Sequence, residues 1–226
     1  MATRVTRLVS VIGLELLAGL AALTAGAWIF GWMAEDLAEG DTHVDGRVAE
    51  WLHDHATPGW TTLFENVTRL GNLTVLVPVV LAAALVLARR RWITELQLLL
   101  LAAIGAEILT VGLKLGFERE RPFFSDPLAA ESNYSFPSGH ASVSLAVYGT
   151  LGFIAARHLA ARRAQIAVLG IAATLVLLIG FSRLYLGVHF LSDVIAGFSL
   201  GVAWVALCAV LLHLRFRLRE RPQTSR

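Results

Sequence analysis

The 226-residue chain is 56% hydrophobic and 16% charged, with a formal net charge of +2 and a mean hydropathy of +0.66. A soluble globular domain is nearer a quarter charged, so the composition excludes that class and indicates an integral membrane protein. The net charge is too small to indicate nucleic acid as a partner. The single cysteine, Cys208, excludes an internal disulfide and a thiolate metal cluster; within an apolar run it is expected to pack as a small hydrophobe.

A helix that crosses a bilayer needs about 20 mostly apolar residues. Six apolar runs meet or approach that length: 8–33, 73–88, 93–117, 141–156, 166–181 and 190–214. The expected fold is therefore all-α, a polytopic membrane bundle of six transmembrane helices forming one domain over 1–226. Ala25-Gly26-Ala27, in the first run, resembles a signal-peptidase site, but the apolar stretch is longer than a usual signal core, which favours an uncleaved span. Segment 34–72 follows. In it Val44, Val48, Trp51, Leu52 and His55 recur at helical spacing, predicting a short amphipathic helix at the membrane surface. Thr57-Pro58 looks like an N-cap and first-turn proline opening a second short helix, which carries Leu63, Phe64, Val67 and Leu70 on one face and ends at Gly71. His53 and His55 lie two residues apart and face different ways, so they are expected to be solvated surface residues rather than metal ligands.

Basic residues orient the bundle. With the N-terminus in the cytoplasm, the inner segments hold Arg4, Arg7, the Arg89–Arg91 run, Arg157, Arg162, Arg163 and the arginines of the tail 215–226, which are most of the 19 Lys and Arg residues. The positive-inside rule favours this arrangement, with both termini cytoplasmic and segment 34–72 outside.

Three polar clusters then fall on the outer side: KLGFERERP from Lys114, PSGH from Pro137, and SRLYLGVHFLSD from Ser182. Charge beside lipid is costly, so such residues are functional candidates. Singly, each has a structural explanation: Lys114 and Arg121 could snorkel, Ser138 could cap a helix, and His189 and Asp193 could be an i,i+4 pair. Together their chemistry is complementary. Lys114, Arg121 and Arg183 supply three positive charges, two on guanidinium forks that grip oxyanions. Ser138 and Gly139 at a helix N-terminus offer backbone N–H groups, and Gly139 permits close approach of a ligand. The set fits a tetrahedral oxyanion such as phosphate. Asp193 can hold one ring nitrogen of His189 and leave the other as a nucleophile, while His140 is a candidate general acid.

The pattern Lys-x6-Arg-Pro, Pro-Ser-Gly-His, Ser-Arg-x5-His-x3-Asp resembles the type 2 phosphatidic acid phosphatase (PAP2) superfamily, with Lys114, Arg121, Pro122, Pro137 to His140, Ser182, Arg183, His189 and Asp193 at its signature positions. The motif region spans 114–193. The resemblance implies a membrane lipid phosphatase that needs no metal or other cofactor. Lys114, Arg121, Arg183, Ser138 and Gly139 would bind the phosphoryl oxygens, His189 would attack phosphorus, Asp193 would orient His189, and His140 would protonate the leaving oxygen. A bell-shaped dependence of rate on pH is expected, because the two histidines must be in opposite protonation states.

The implied partner is a membrane lipid, either a polyprenyl diphosphate or a phosphoglycerolipid such as phosphatidic acid or phosphatidylglycerol phosphate. It would be hydrolysed at the extracytoplasmic face of the plasma (inner) membrane. The same motifs would serve a lipid-linked phosphotransferase; a vanadium haloperoxidase and a non-catalytic anion-binding membrane protein fit less well. Phe123, Phe124, Tyr134 and Phe136 flank the motif loop and could either shape lipid access or pack the loop. Glu107 is expected on the same helix face as Lys114, and Glu15 between helices or near water.

Overall fold

The computed structural model describes residues 2–40, 43–129 and 131–219, with side chains from Leu16 to Arg215. Every regular element among them is a helix. Because lipid offers no hydrogen bonds, a spanning backbone must satisfy its own polar groups, which apolar helices do. Helix α1 is Ala2–Glu39, α2 His43–Asp54, α3 Pro58–Arg69, α4 Leu73–Arg89 and α5 Ile93–Phe117. Helix α6 is Gly139–Arg157, with a π-helical turn at Leu145–Gly149; α7 is Arg162–Tyr185 and α8 Leu191–Arg219.

Five of these are long and apolar enough to cross a membrane. Helices α3 and α4, which meet at a 42° bend, make a sixth if taken as one span. The second predicted run is thus 17 residues of α4 joined to a surface helix, not a separate straight span. The N-terminal arginines, Glu15 and most of the basic tail, for which the sequence carried expectations, lie outside the residues whose side chains are described.

Helix α8 is the hub. It packs along α1 and against α5 and α6. Small residues make this possible, as is usual where lipid removes the hydrophobic drive between helices: Ala102, Ala106, Ala146 and Ala196 are fully buried. The large apolar residues turned outward, Leu81, Ile108 and Ile171 among them, would be a liability in water and are suited to lipid. Cys208 is buried beside Leu98 and Leu212.

At one end of the bundle the C-termini of α5 and α7 meet the N-termini of α6 and α8, with α2 and α3 against that end. Closeness there depends on Gly197 in α8: a Cβ at that position would lie 2.5 Å from the Ser138 carbonyl oxygen. Helix α5 ends at Glu118, which adopts a left-handed conformation (φ 49°) and donates its N–H to the Lys114 carbonyl, turning the chain into the loop that leads to α6.

Candidate active site

All eight residues singled out for the site lie at this end of the bundle. Lys114, in the last turn of α5, is nearly buried and donates from Nζ to the carbonyls of Tyr134 and, at 3.3 Å, Ser135. Arg121 lies in the loop. Its Nε donates to the Asn133 carbonyl at 2.6 Å, Nη2 reaches the Asn133 side chain, and Nη1 donates to the Val188 carbonyl and lies 3.2 Å from His189 Nε2. Arg183, 3% exposed, gives Nη1 to Thr68 Oγ1 at 2.8 Å and Nη2 to Glu131 Oε1 at 2.5 Å. Its Nε is buried with no partner among the described residues, and so is Ser138 Oγ.

An unsatisfied buried donor costs roughly 1–3 kcal/mol, so two in one site call for an acceptor that completes them. A tetrahedral oxyanion is such an acceptor. The Nη2 arm of Arg183 is already held by the Glu131 carboxylate. Burial pushes Glu131 upward in pKa, but Arg183, by charge and hydrogen bond, and Arg121 draw it below the usual range.

Ser138 corrects the expectation of a ready pair of backbone donors. It occupies the N-cap position of α6 without a capping bond, and its N–H is taken by the Asp193 carbonyl at 2.9 Å. The hydroxyl is therefore what Ser138 can offer a ligand. Gly139, in the first turn, keeps an N–H that has no intrahelical acceptor.

His189 is 2% exposed. Nδ1 lies 3.3 Å from Asp193 Oδ2, one turn along, and the Arg121 donor faces Nε2. A donor at Nε2 requires a lone pair there and leaves the proton on Nδ1, directed at Asp193. Burial pushes the pKa of His189 well below the ordinary histidine value, to about 3. Asp193 opposes the shift, and Arg121 and Arg183 add to it. The ring is neutral, as a nitrogen nucleophile must be.

Asp193 is fully buried and has further partners. Its Oδ2 accepts from the Phe190 N–H at 2.8 Å and from Ser135 Oγ, and Oδ1 accepts from Arg119 Nη1 at 2.6 Å. The other arm of Arg119 reaches Asp45 Oδ2 in α2 at 2.7 Å, and Asp45 Oδ1 accepts the Ser192 N–H at 2.9 Å. The guanidinium also lies over the Phe190 ring, 4.3 Å from its centroid. One buried cation thus joins Asp193 to a surface helix.

His140 stands in the first turn of α6, with Nε2 2.7 Å from Asn72 Oδ1 at the start of α4.

Sequence reasoning missed Arg119, Asp45, Ser135, Asn72, Thr68 and Glu131. Arg119 could have been suspected from the charged run ERER; the others carry no local pattern. Of the loop aromatics, Phe136 packs rather than shaping lipid access: it is fully buried against Phe30 and Phe117. One further reading needs correction. His53 is not a solvated surface residue: it stacks on Phe124 at 4.1 Å and bonds Asp126 Oδ1 at 3.1 Å. His55 is exposed against Trp51, and Phe123 is 92% exposed. Glu107 forms no ion pair with Lys114.

Fold and site together define a helical membrane protein that gathers Lys114, Arg121 and Arg183 at one end of the bundle with a buried, neutral histidine. The model described as "PAP2 superfamily" matches residues 95–217. Phosphatidylglycerophosphatase B of Bacillus subtilis (strain 168) is 38% identical over 149 residues, 64% of this chain and 71% of its own. Among solved structures, a transmembrane PAP2-type phosphatidylglycerolphosphate phosphatase from Bacillus subtilis superposes with a TM-score of 0.76 at 28% identity, covering 89% of this chain and 98% of that one. LpxE of Aquifex aeolicus gives 0.57 at 25% identity, covering 75% and 93%. The chain belongs to the PAP2 superfamily. It is an enzyme of the phosphoric ester hydrolase class and a membrane protein.

Proposed function

We propose that the chain hydrolyses the terminal phosphate monoester of a membrane glycerophospholipid, of the phosphatidylglycerol phosphate type, through a phosphohistidine. The observation that carries this reading is the pair of orphan donors, Arg183 Nε and Ser138 Oγ, in the site of a neutral, Asp-held histidine. The substrate class draws on the two Bacillus subtilis relatives, whose names specify that phosphate.

The steps follow from the placement of groups. The phosphoryl oxygens displace Glu131 from Arg183 and take up Arg183 Nε, Ser138 Oγ, the Gly139 N–H, Lys114 and Arg121. These groups supply the charge that the transition state requires. The Nε2 lone pair of His189 attacks phosphorus, forming the P–N bond as the P–O bond to the glycerol oxygen breaks. His140 gives that oxygen a proton. The positive charge gained by the His189 ring is stabilised by Asp193 across Nδ1–H. Water then attacks phosphorus and yields its proton to His140, the P–N bond breaks, and inorganic phosphate leaves with His189 neutral again. One difficult displacement is divided into two easier ones.

The arginine distribution supports a site on the extracytoplasmic side with both termini in the cytoplasm, and residues 1–226 working as one membrane domain. Head groups would arrive there with tails still in lipid. Phosphate release by detergent-purified protein in EDTA tests the reading. Phosphatidylglycerol phosphate is expected to be cleaved faster than phosphatidic acid or a polyprenyl diphosphate, with no release by His189→Ala. A higher kcat/KM for a polyprenyl diphosphate would replace the substrate class, and release abolished by EDTA would refute the metal-free chemistry. For sidedness, a single cysteine at Phe123 in a Cys208→Ala background should react with an impermeant maleimide on intact spheroplasts; reaction only after lysis would reverse the topology.

A further inference from the structure

The break between α3 and α4 is part of the site. Thr68, in the last turn of α3, takes an Nη1 proton of Arg183 at 2.8 Å, and the Leu70 carbonyl accepts from the Tyr148 hydroxyl at 2.8 Å. Gly71 passes so close to His140 that a Cβ would stand 2.7 Å from the ring carbon Cδ2 and 2.7 Å from Ile179 Cγ2. Asn72 Oδ1 then meets His140 Nε2 at 2.7 Å.

Asn72 has an alternative use that it does not adopt. It is the N-cap residue of α4, with the extended backbone (φ −74°, ψ 146°) from which asparagine side chains commonly accept a first-turn N–H. It makes no such bond. The helix start forgoes its cap, and the side chain is directed across 68 residues of sequence to an imidazole.

The chemistry of that contact is one-sided. An amide oxygen only accepts, so Nε2 of His140 must carry the proton, and Nδ1 is the nitrogen left for proton exchange. Nδ1 has no partner among the described residues and is not fully buried. We infer that Asn72 is a positioning residue for His140: it fixes the Nε2–H form and the ring plane, so that Nδ1 exchanges the proton with the leaving oxygen and later with water. Its part toward His140 parallels that of Asp193 toward His189, with a neutral acceptor in place of a charged one.

This inference rests on the phosphatase reading above, and the test separates the two. General acid catalysis matters in proportion to how poor the leaving group is, and contributes about 10²–10⁴-fold where it is needed. The comparison is kcat/KM, which reports the P–O cleavage step, for a lipid phosphate (an alkoxide leaving group) and for p-nitrophenyl phosphate, whose phenolate leaves without a proton. Asn72→Leu and Asn72→Ala are expected to lose about 10–100-fold on the lipid and less than threefold on the aryl ester. Asn72→Asp, which keeps the acceptor, should recover the larger part of the loss. Ring 15N NMR of His140 should show the Nε2–H form in the wild type and a mixture of tautomers in Asn72→Ala. Melting temperature in detergent identifies any variant that fails to fold, in which case the other variant supplies the comparison. Equal losses on both esters, or none on either, would overturn the positioning role while leaving the phosphatase reading in place. Wild-type protein inactive on both, like His189→Ala, would overturn the reading and this inference with it.

Discussion

Replacing Arg119 by methionine removes one cation from between two buried carboxylates. Asp193 is fully buried, Asp45 is 6% exposed and Arg119 8%, and the guanidinium lies 2.6 Å from one and 2.7 Å from the other. Water cannot take over for the lost partner at these sites. Breaking a buried ion pair costs about 3–5 kcal/mol. With two carboxylates served by one cation the upper end applies, and methionine recovers only the packing against Phe190. For a chain of this size, 1 kcal/mol corresponds to about 2–4 °C in Tm, so a fall of about 10–20 °C is expected in detergent. Activity should fall further than stability implies. Asp193 would lose one of the bonds that fix its carboxylate, and a misplacement of about 1 Å at such a site costs about 10²-fold. The assays are thermal unfolding and kcat for phosphate release. Asp45→Asn leaves the Arg119–Asp193 contact intact and should cost much less in kcat. The double variant should show coupling above about 1 kcal/mol, as groups in one buried network do. Arg119→Met with Tm within 2 °C and kcat within about twofold of wild type would refute the bridging role.

Three other outcomes are expected. His189, neutral in the fold down to about pH 3, charges in the unfolded chain below its ordinary 6.5. Between those values the unfolded state binds more protons, so stability rises with pH over that window and is lost as pH falls through it; His189→Gln should flatten the slope of Tm against pH, and an unchanged slope would refute the assignment. Gly197→Ala puts a methyl 2.5 Å from the Ser138 carbonyl oxygen, which should cost about 1–3 kcal/mol and reduce kcat by displacing the start of α6; wild-type Tm and kcat would show that the contact yields freely. Glu131→Gln removes the charged occupant of Arg183, so orthovanadate should inhibit several-fold more tightly, read from Ki in EDTA; an unchanged Ki would mean that Glu131 does not compete for the anion site.

The spans were legible because apolar length is a local property that lipid enforces directly. Each of the six runs appears in a helix, with ends shifted by several residues where caps and the α3–α4 bend intervene. The signature residues were legible for a related reason: Lys114, Arg121, Arg183, His189 and Asp193 are charged or titratable at positions where lipid makes charge costly. What stayed hidden depends on contacts across long stretches of chain. Asp45 and Arg119 are 74 residues apart, and Asn72 and His140 are 68 apart. An acidic residue on an amphipathic helix, or an asparagine after a glycine, has ordinary local explanations. Burial was hidden for the same reason. Phe136 and His53 sit in loop or surface contexts by sequence, and only the packing of Phe30 and Phe117, or the ring of Phe124, encloses them.

The most direct measurement is capture of the covalent enzyme. Purified protein in EDTA, mixed with a 32P-labelled lipid phosphate and quenched within milliseconds, should carry label that is lost in acid and stable in base, as a phosphoramidate is. The label should map to the peptide containing His189 and be absent from His189→Ala. Label on another residue, or full phosphate release by His189→Ala, would contradict nucleophilic attack by His189.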